Sequence, residues 1–124
     1  MKEDRPTIKT INFSAEMSAE EHFQNNVIRS IIKMKHELIL AHYRNYLIVR
    51  KIQFSDLKEE AKLDYIKNSV KRDASLKSEL NGFIIGHFTL EEYNLYTTLH
   101  SKLNRRISNI IIERLSTHLE ILSQ

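Results

Sequence analysis

Cysteine and tryptophan are absent from the 124 residues, and the chain holds only two glycines and one proline. Without cysteine there is no disulfide, thiolate nucleophile, iron–sulfur cluster or cysteine-ligated zinc, which favours a cytoplasmic setting. So little Gly and Pro leaves almost no material for hairpin turns, while the plentiful residues (Leu, Ile, Glu, Lys, Arg) suit helices. The expected class is all-α. Lys, His and Arg puncture the most apolar stretches, so none reaches the roughly 20 residues of a membrane span, and no charged leader followed by an apolar core opens the chain. A soluble single domain is expected, large enough to build a core without disulfide or metal.

The dominant stretch runs from Ser18 to about Ile52 without Gly or Pro. Val27, Ile31, Met34, Leu38, Ala41, Asn45, Ile48 and Ile52 alternate steps of four and three, which lays them along one seam of a long helix. Ile28, Ile32, Ile39, Tyr46 and Val49 form a second row beside it, broken by Lys35 and His42. One partner helix cannot cover a face that wide. A helix of about 35 residues is roughly 50 Å long, so the spacing predicts either overhang or sheathing by a second copy. A homodimer is the expectation, with Asn45 as a polar register residue on the seam.

Residues 1–13 read as an extended N-terminal arm, with Ile8, Ile11 and Phe13 available to pack on a neighbour; residues 14–124 form the helical domain. Ser14 or Ser18 starts the long helix, and Ser18 with Glu21 has the spacing of a capping box. Ser55 or Asp56 is expected to cap a second helix over 56–72, and Asp73 a third, short one that stops at Asn81-Gly82. Phe83, Ile84, Ile85 and Phe88 then read as an apolar plug. Thr89 and Glu92 repeat the capping-box signature before a last long helix over 90–122. Its apolar face carries Tyr96, Leu99, Leu103, Ile107, Ile110, Ile111, Leu115, Leu119 and Leu122. The expected architecture is a four-helix bundle, its two long helices (about 18–52 and 90–122) joined through two short ones and able to pack antiparallel at its centre, within one chain or across a dimer.

The formal charge is +3 and the isoelectric point about 9.2, which permits nucleic-acid contact but gives little long-range steering. The excess is local: residues 18–53 carry six bases and three acids. Lys33, Arg44, Arg50, Lys51, Lys102, Arg105 and Arg106 are the candidates for contact with nucleic acid or an acidic partner. No compact helix-turn-helix and no aromatics placed for base stacking accompany them.

Six histidines are many for this length. His36, Glu37 and His42 fail as a zinc-protease motif, because six residues turn a helix by about 600° and leave the two rings roughly 120° apart. No Glu-x-x-His pair of a di-iron bundle is present. No metal, cofactor or catalytic residue is therefore expected. His42 and His118 border apolar faces, where protonation below about pH 6.5 would act on the assembly. Arg29 and His36 have the Arg-six-residues-His spacing that occurs in small all-α ribonucleases of the HEPN group, whose paired chains cleave RNA at a dimer cleft. That resemblance is limited to two residues, with no second element beside them.

The function expected from the sequence is that of a small non-enzymatic regulator, a helical dimer that modulates another protein, with weak nucleic-acid contact through its basic helix faces. The alternative is a purely protein-directed adaptor, chaperone, immunity protein or inhibitor. A HEPN-like ribonuclease is the remote alternative.

Overall fold

The structure, a computed structural model, describes residues 19–124. The arm expected at 1–13 and the Ser14 or Ser18 start, including the Ser18–Glu21 capping box, lie outside these residues. Among the described residues all regular structure is helical, and no strand is present.

The first long stretch is not one uniform helix. It comprises α1 (Ala19–His22), a π-helical segment (Phe23–Ile28), α2 (Arg29–Met34) and α3 (His36–Val49). The Arg29 amide bonds to the Gln24 carbonyl five residues back, which widens the turn. At Lys35 the backbone leaves helical geometry (φ −98°, ψ 16°). A seam extrapolated in steps of three and four assumes an unbroken 3.6-residue period, and these two irregularities change its phase. Ile28, Ile31 and Ile32 are buried before Lys35; after it Ile39, Leu40, Tyr43 and Leu47 are. Leu38, Ala41, Asn45 and Ile48, read as the continuation of the seam, face solvent in the single chain, while Val27, Met34 and Ile52 are half-buried.

A short 3-10 turn (Phe54–Asp56) with Phe54 buried precedes α4 (Glu59–Arg72), which starts three residues later than expected. Asp73 caps α5 (Ala74–Ile85) by accepting from the Leu76 amide at 3.2 Å. This helix does not stop at Asn81-Gly82. It runs on because Ile84 is fully buried one turn beyond Leu80, and an isolated glycine in open space is tolerated in a helix whose next turn packs well. Of the expected plug, Phe88 behaves as one, its ring edge-on to Phe23 at 5.3 Å and tilted to Tyr96 at 5.5 Å.

The last stretch is α6 (Leu90–Thr98), α7 (His100–Ser116) and α8 (Leu119–Leu122). The Thr89 capping box forms in full, with the Glu92 amide on Thr89 Oγ1 and the Thr89 amide on Glu92 Oε1. Both interruptions follow threonines whose hydroxyls donate to carbonyls three residues back: Thr97 to Asn94 and Thr98 to Leu95 before Leu99, and Thr117 to Arg114 before His118. Such bonds compete with the helical ladder and bend it. The apolar face survives the breaks. Seven of its nine expected residues are buried, with Leu99 and Leu119 half-buried.

The two long stretches run parallel rather than antiparallel. Glu20 lies 3.9 Å from Lys102, His36 meets Arg114, and Arg44 and Leu47 share a cavity wall with Leu122, Ser123 and Gln124. α5 runs against both of them. Its start bonds to Tyr46 through Asp73, Glu79 reaches back to His42, and Asn81 meets Ser108 of α7. Up, down and up again returns α7 to the direction of α3. α7 is the central rod, packed on α4, α5 and α2. Its Leu103, Ile107, Ile111 and Leu115 are fully buried with Ile66, Val70, Leu76, Leu80 and Ile84; each such side chain contributes about 1.5–3 kcal/mol.

Candidate interaction surface

The exposed side of α3 is built by the phase change at Lys35. Leu38 is 46%, Ile48 65% and Val49 70% exposed, and Ala41 and Asn45 stand between them on the same side. On a straight helix these five positions span about 100°, as wide as the apolar stripe of a core-facing helix. No charged residue interrupts the stripe. Glu37 and Arg44, seven residues apart, flank one edge, and neither makes an ion pair among the described residues.

The other edge borders α5 across a groove of 260 Å³ lined by His42, Asn45, Tyr46, Val49, Arg50, Asp73, Ser75, Leu76 and Glu79. Two polar clusters fix its walls. His42 Nε2 lies 3.0 Å from Glu79 Oε1, with its ring edge-on to Phe83 at 5.2 Å. Asp73 Oδ2 accepts from the Tyr46 hydroxyl at 2.9 Å and from Arg50, whose guanidinium also lies 4.7 Å from the Tyr46 ring centre. The Leu76 amide, the Tyr46 hydroxyl and Arg50 all favour the carboxylate, so Asp73 is held below its ordinary value of 3.8. Burial, reinforced by the bond to that anion, pushes Tyr46 up to about 12. These groups are committed to one another, and α5 is thereby locked onto α3.

A third cluster lies where α3 begins. Arg114 Nη1 is 3.1 Å from His36 Nδ1, and the His36 and His118 rings meet edge to face at 4.5 Å. His118 Nδ1 is 2.8 Å from the Arg114 carbonyl. Beside it opens a cleft of 560 Å³ between the first turns of α4 and the α7–α8 junction, lined by Glu59, Lys62, Ser116, Thr117 and His118 among others. Among the described residues no group of three or more His, Asp or Glu could hold a metal ion, and no helix is long and apolar enough to cross a membrane.

No known protein family, curated protein or solved structure matches this chain.

The basic candidates do not converge. Lys102, Arg105 and Arg106 lie at the start of α7, the end where Lys102 faces Glu20, whereas Arg44, Arg50 and Lys51 lie at the far end of α3, toward the C-terminus. Lys33 is exposed on α2. Arg50 is paired to Asp73, and the Nε atoms of Arg44 and Arg106 are enclosed without a hydrogen-bond partner among the described residues. Arg29 and His36 fall on either side of the Lys35 break, and the cation at His36 is Arg114. Sequence reading missed the His36–Arg114–His118 and Tyr46–Asp73–Arg50 clusters because each joins two distant parts of the chain, His36 lying 78 and 82 positions from Arg114 and His118, and Asp73 lying 27 and 23 positions from Tyr46 and Arg50. Helical periodicity on one element carries no signal about such pairs.

Proposed function

We propose that this protein is a non-enzymatic regulatory protein that works by protein contact, presenting the uncharged face of α3 to another polypeptide. The observation that carries this reading is the exposure of Leu38, Ile48 and Val49 on one rigid helix; apolar area displayed as a stripe marks a protein interface, whereas scattered surface apolar residues do not. In this reading the chain is a cytoplasmic four-helix bundle whose rods are α2–α3, α4, α5 and α7, and it associates as a homodimer that modulates a second protein. Nucleic-acid contact is the weaker half of the reading, supported by the exposure of Lys33, Lys51 and Arg105.

Light scattering of the purified protein, alone and with a short DNA duplex at about 50 and 200 mM salt, separates the halves, since phosphate-driven binding weakens steeply over that range. Protein-directed function expects a mass indifferent to DNA at both salts. A mass that rises with DNA at low salt, and stops doing so in Arg105→Glu, would move the reading to nucleic acid. Because Leu38 is exposed, Leu38→Asp is expected to fold with unchanged helicity and to lose association through α3; folded Leu38→Asp with full association sinks the α3 face.

A further inference from the structure

We infer that the occupant of the α3 face is the same face of a second copy, packed antiparallel about a twofold axis at the level of residue 43, on the side of α3 opposite the buried Tyr43. The inference rests on the reading of α3 as the docking surface and adds who docks there and in which direction. Charge decides the direction. Along the flank of the stripe Glu37 stands at the N-terminal end and Arg44 in the middle, and the exposed Lys51, with a positive φ of 57°, follows two residues past the C-terminal end of the helix. A parallel pair sets Glu on Glu, Arg on Arg and Lys on Lys. An antiparallel pair brings Glu37 of each copy within about 3 Å, along the helix axis, of the level of the partner's Lys51 and leaves only the two Arg44 side chains alike, near the twofold. Helix dipoles point the same way, since antiparallel helices lay positive N-terminal ends beside negative C-terminal ends.

The apolar pattern is self-complementary in that orientation. With the axis near residue 43, Leu38 lies opposite the partner's Ile48 and Ala41 opposite the partner's Asn45. A large side chain then meets a large one at each end, and smaller ones meet at the centre, the layering of an antiparallel helix pair. Val49 and Asn45 belong both to the stripe and to the α3–α5 groove. The partner's Leu38 is thereby brought to the mouth of that 260 Å³ groove, which is filled only when the second copy is present. An isologous contact of this kind closes on itself and yields a dimer, leaving no free copy of the face to propagate a filament.

The absence of cysteine makes the geometry directly testable. Leu38→Cys and Ile48→Cys proteins, prepared separately and mixed under oxidising conditions, are expected to give the mixed disulfide as the dominant product. Each alone should give little, because in the antiparallel pair like positions are about 15 Å apart along the axis, beyond the roughly 7 Å between Cα atoms that a disulfide spans. Glu37→Lys is expected to weaken the dimer roughly two- to tenfold, and Glu37→Lys/Lys51→Glu to restore it. Cross-linking of each variant with itself in preference to the mixture overturns the antiparallel arrangement but keeps the face. Monomer mass at the highest attainable concentration overturns self-pairing and leaves the face to the first 18 residues or another protein. A dimer that forms neither cross-link and survives Leu38→Asp defeats the underlying reading of α3 itself.

Discussion

Arg114 sits against His36 with Nη1 and Nδ1 3.1 Å apart, and its side chain and its carbonyl together assign both imidazoles of the cluster. A guanidinium only donates, so His36 Nδ1 accepts and its proton is on Nε2; a carbonyl only accepts, so His118 carries its proton on Nδ1, toward Arg114 O. Protonating His36 puts a hydrogen where Arg114 already donates and places a second cation beside it. Desolvation, then His118 and Arg114, hold His36 below its ordinary value of 6.5, against a smaller opposing effect of Glu37.

The sign of the resulting pH dependence follows. The unfolded chain takes up the proton near pH 6.5 and the folded chain only at lower pH, so stability is full above 6.5 and falls as pH drops toward the lowered folded value. Thermal unfolding between pH 7.5 and 5 should show a midpoint that declines less in His36→Gln, which keeps an acceptor for Arg114 without a titrating ring. Identical pH profiles for the two proteins would remove His36 from the acid response.

Tyr43 and Ser69 form the buried polar link between α3 and α4, their oxygens 2.7 Å apart. The Ser69 hydroxyl donates to the Ile66 carbonyl at 3.1 Å, which leaves the Tyr43 hydroxyl as the donor to Ser69. Tyr43→Phe therefore leaves Ser69 bonded and is expected to cost about 1 kcal/mol. Ser69→Ala strands a buried phenol that burial already holds well above its ordinary value in the neutral form, and is expected to cost more, about 1–3 kcal/mol. Urea unfolding of both single variants and the double one measures the order; a Tyr43→Phe penalty exceeding that of Ser69→Ala contradicts the donor assignment.

Asp73 joins a helix cap to an interhelix contact. Asp73→Asn retains an oxygen for the Leu76 amide but loses the charge that Arg50 meets, whereas Asp73→Ala loses both. Unfolding midpoints near pH 7 should rank wild type, Asn, Ala. Because the folded carboxyl is held below 3.8, its stabilisation is present above that value and disappears as pH falls through the folded one. The gap between wild type and Asp73→Asn should close in acid, and a gap that persists there assigns the effect to packing.

Two isoleucines separate the inner and outer faces of the structure. Ile111 is fully buried and Ile48 is 65% exposed. In dilute protein Ile111→Ala is expected to cost about 2–5 kcal/mol and Ile48→Ala no more than about 0.5 kcal/mol. Chemical denaturation at low concentration gives both values, and comparable losses would mean that the seam continues into the core of the single chain.

The apolar period of α7 was legible because its backbone is regular from His100 to Ser116, so one residue count places Leu103, Ile107, Ile111 and Leu115 on one face. The caps at Asp73 and Thr89 were legible for a similar reason: each is closed by groups within three residues along the chain. The seam failed beyond Ile31 because the break at Lys35 rotated the face, and no propensity in that stretch announces it. Threonines before Leu99 and His118 did carry a signal for the later breaks, through hydroxyls able to bond the preceding turn.

By itself the sequence determined the all-helical class, the caps at Asp73 and Thr89 and the identity of the last core face, since each depends on interactions within a few residues. The start of α4 at Glu59 and the end of α5 at Ile85 departed from the local signals at Ser55, Asp56 and Asn81-Gly82. The direction of packing was decided only in three dimensions. α7 lies parallel to α3, and His36 meets Arg114, because one rod, α5, runs against both. The exposure of Leu38 and Ile48 was decided there too. Burial depends on which neighbour occupies each side of a helix, and that choice is settled by contacts between residues far apart in the chain, which no local period encodes.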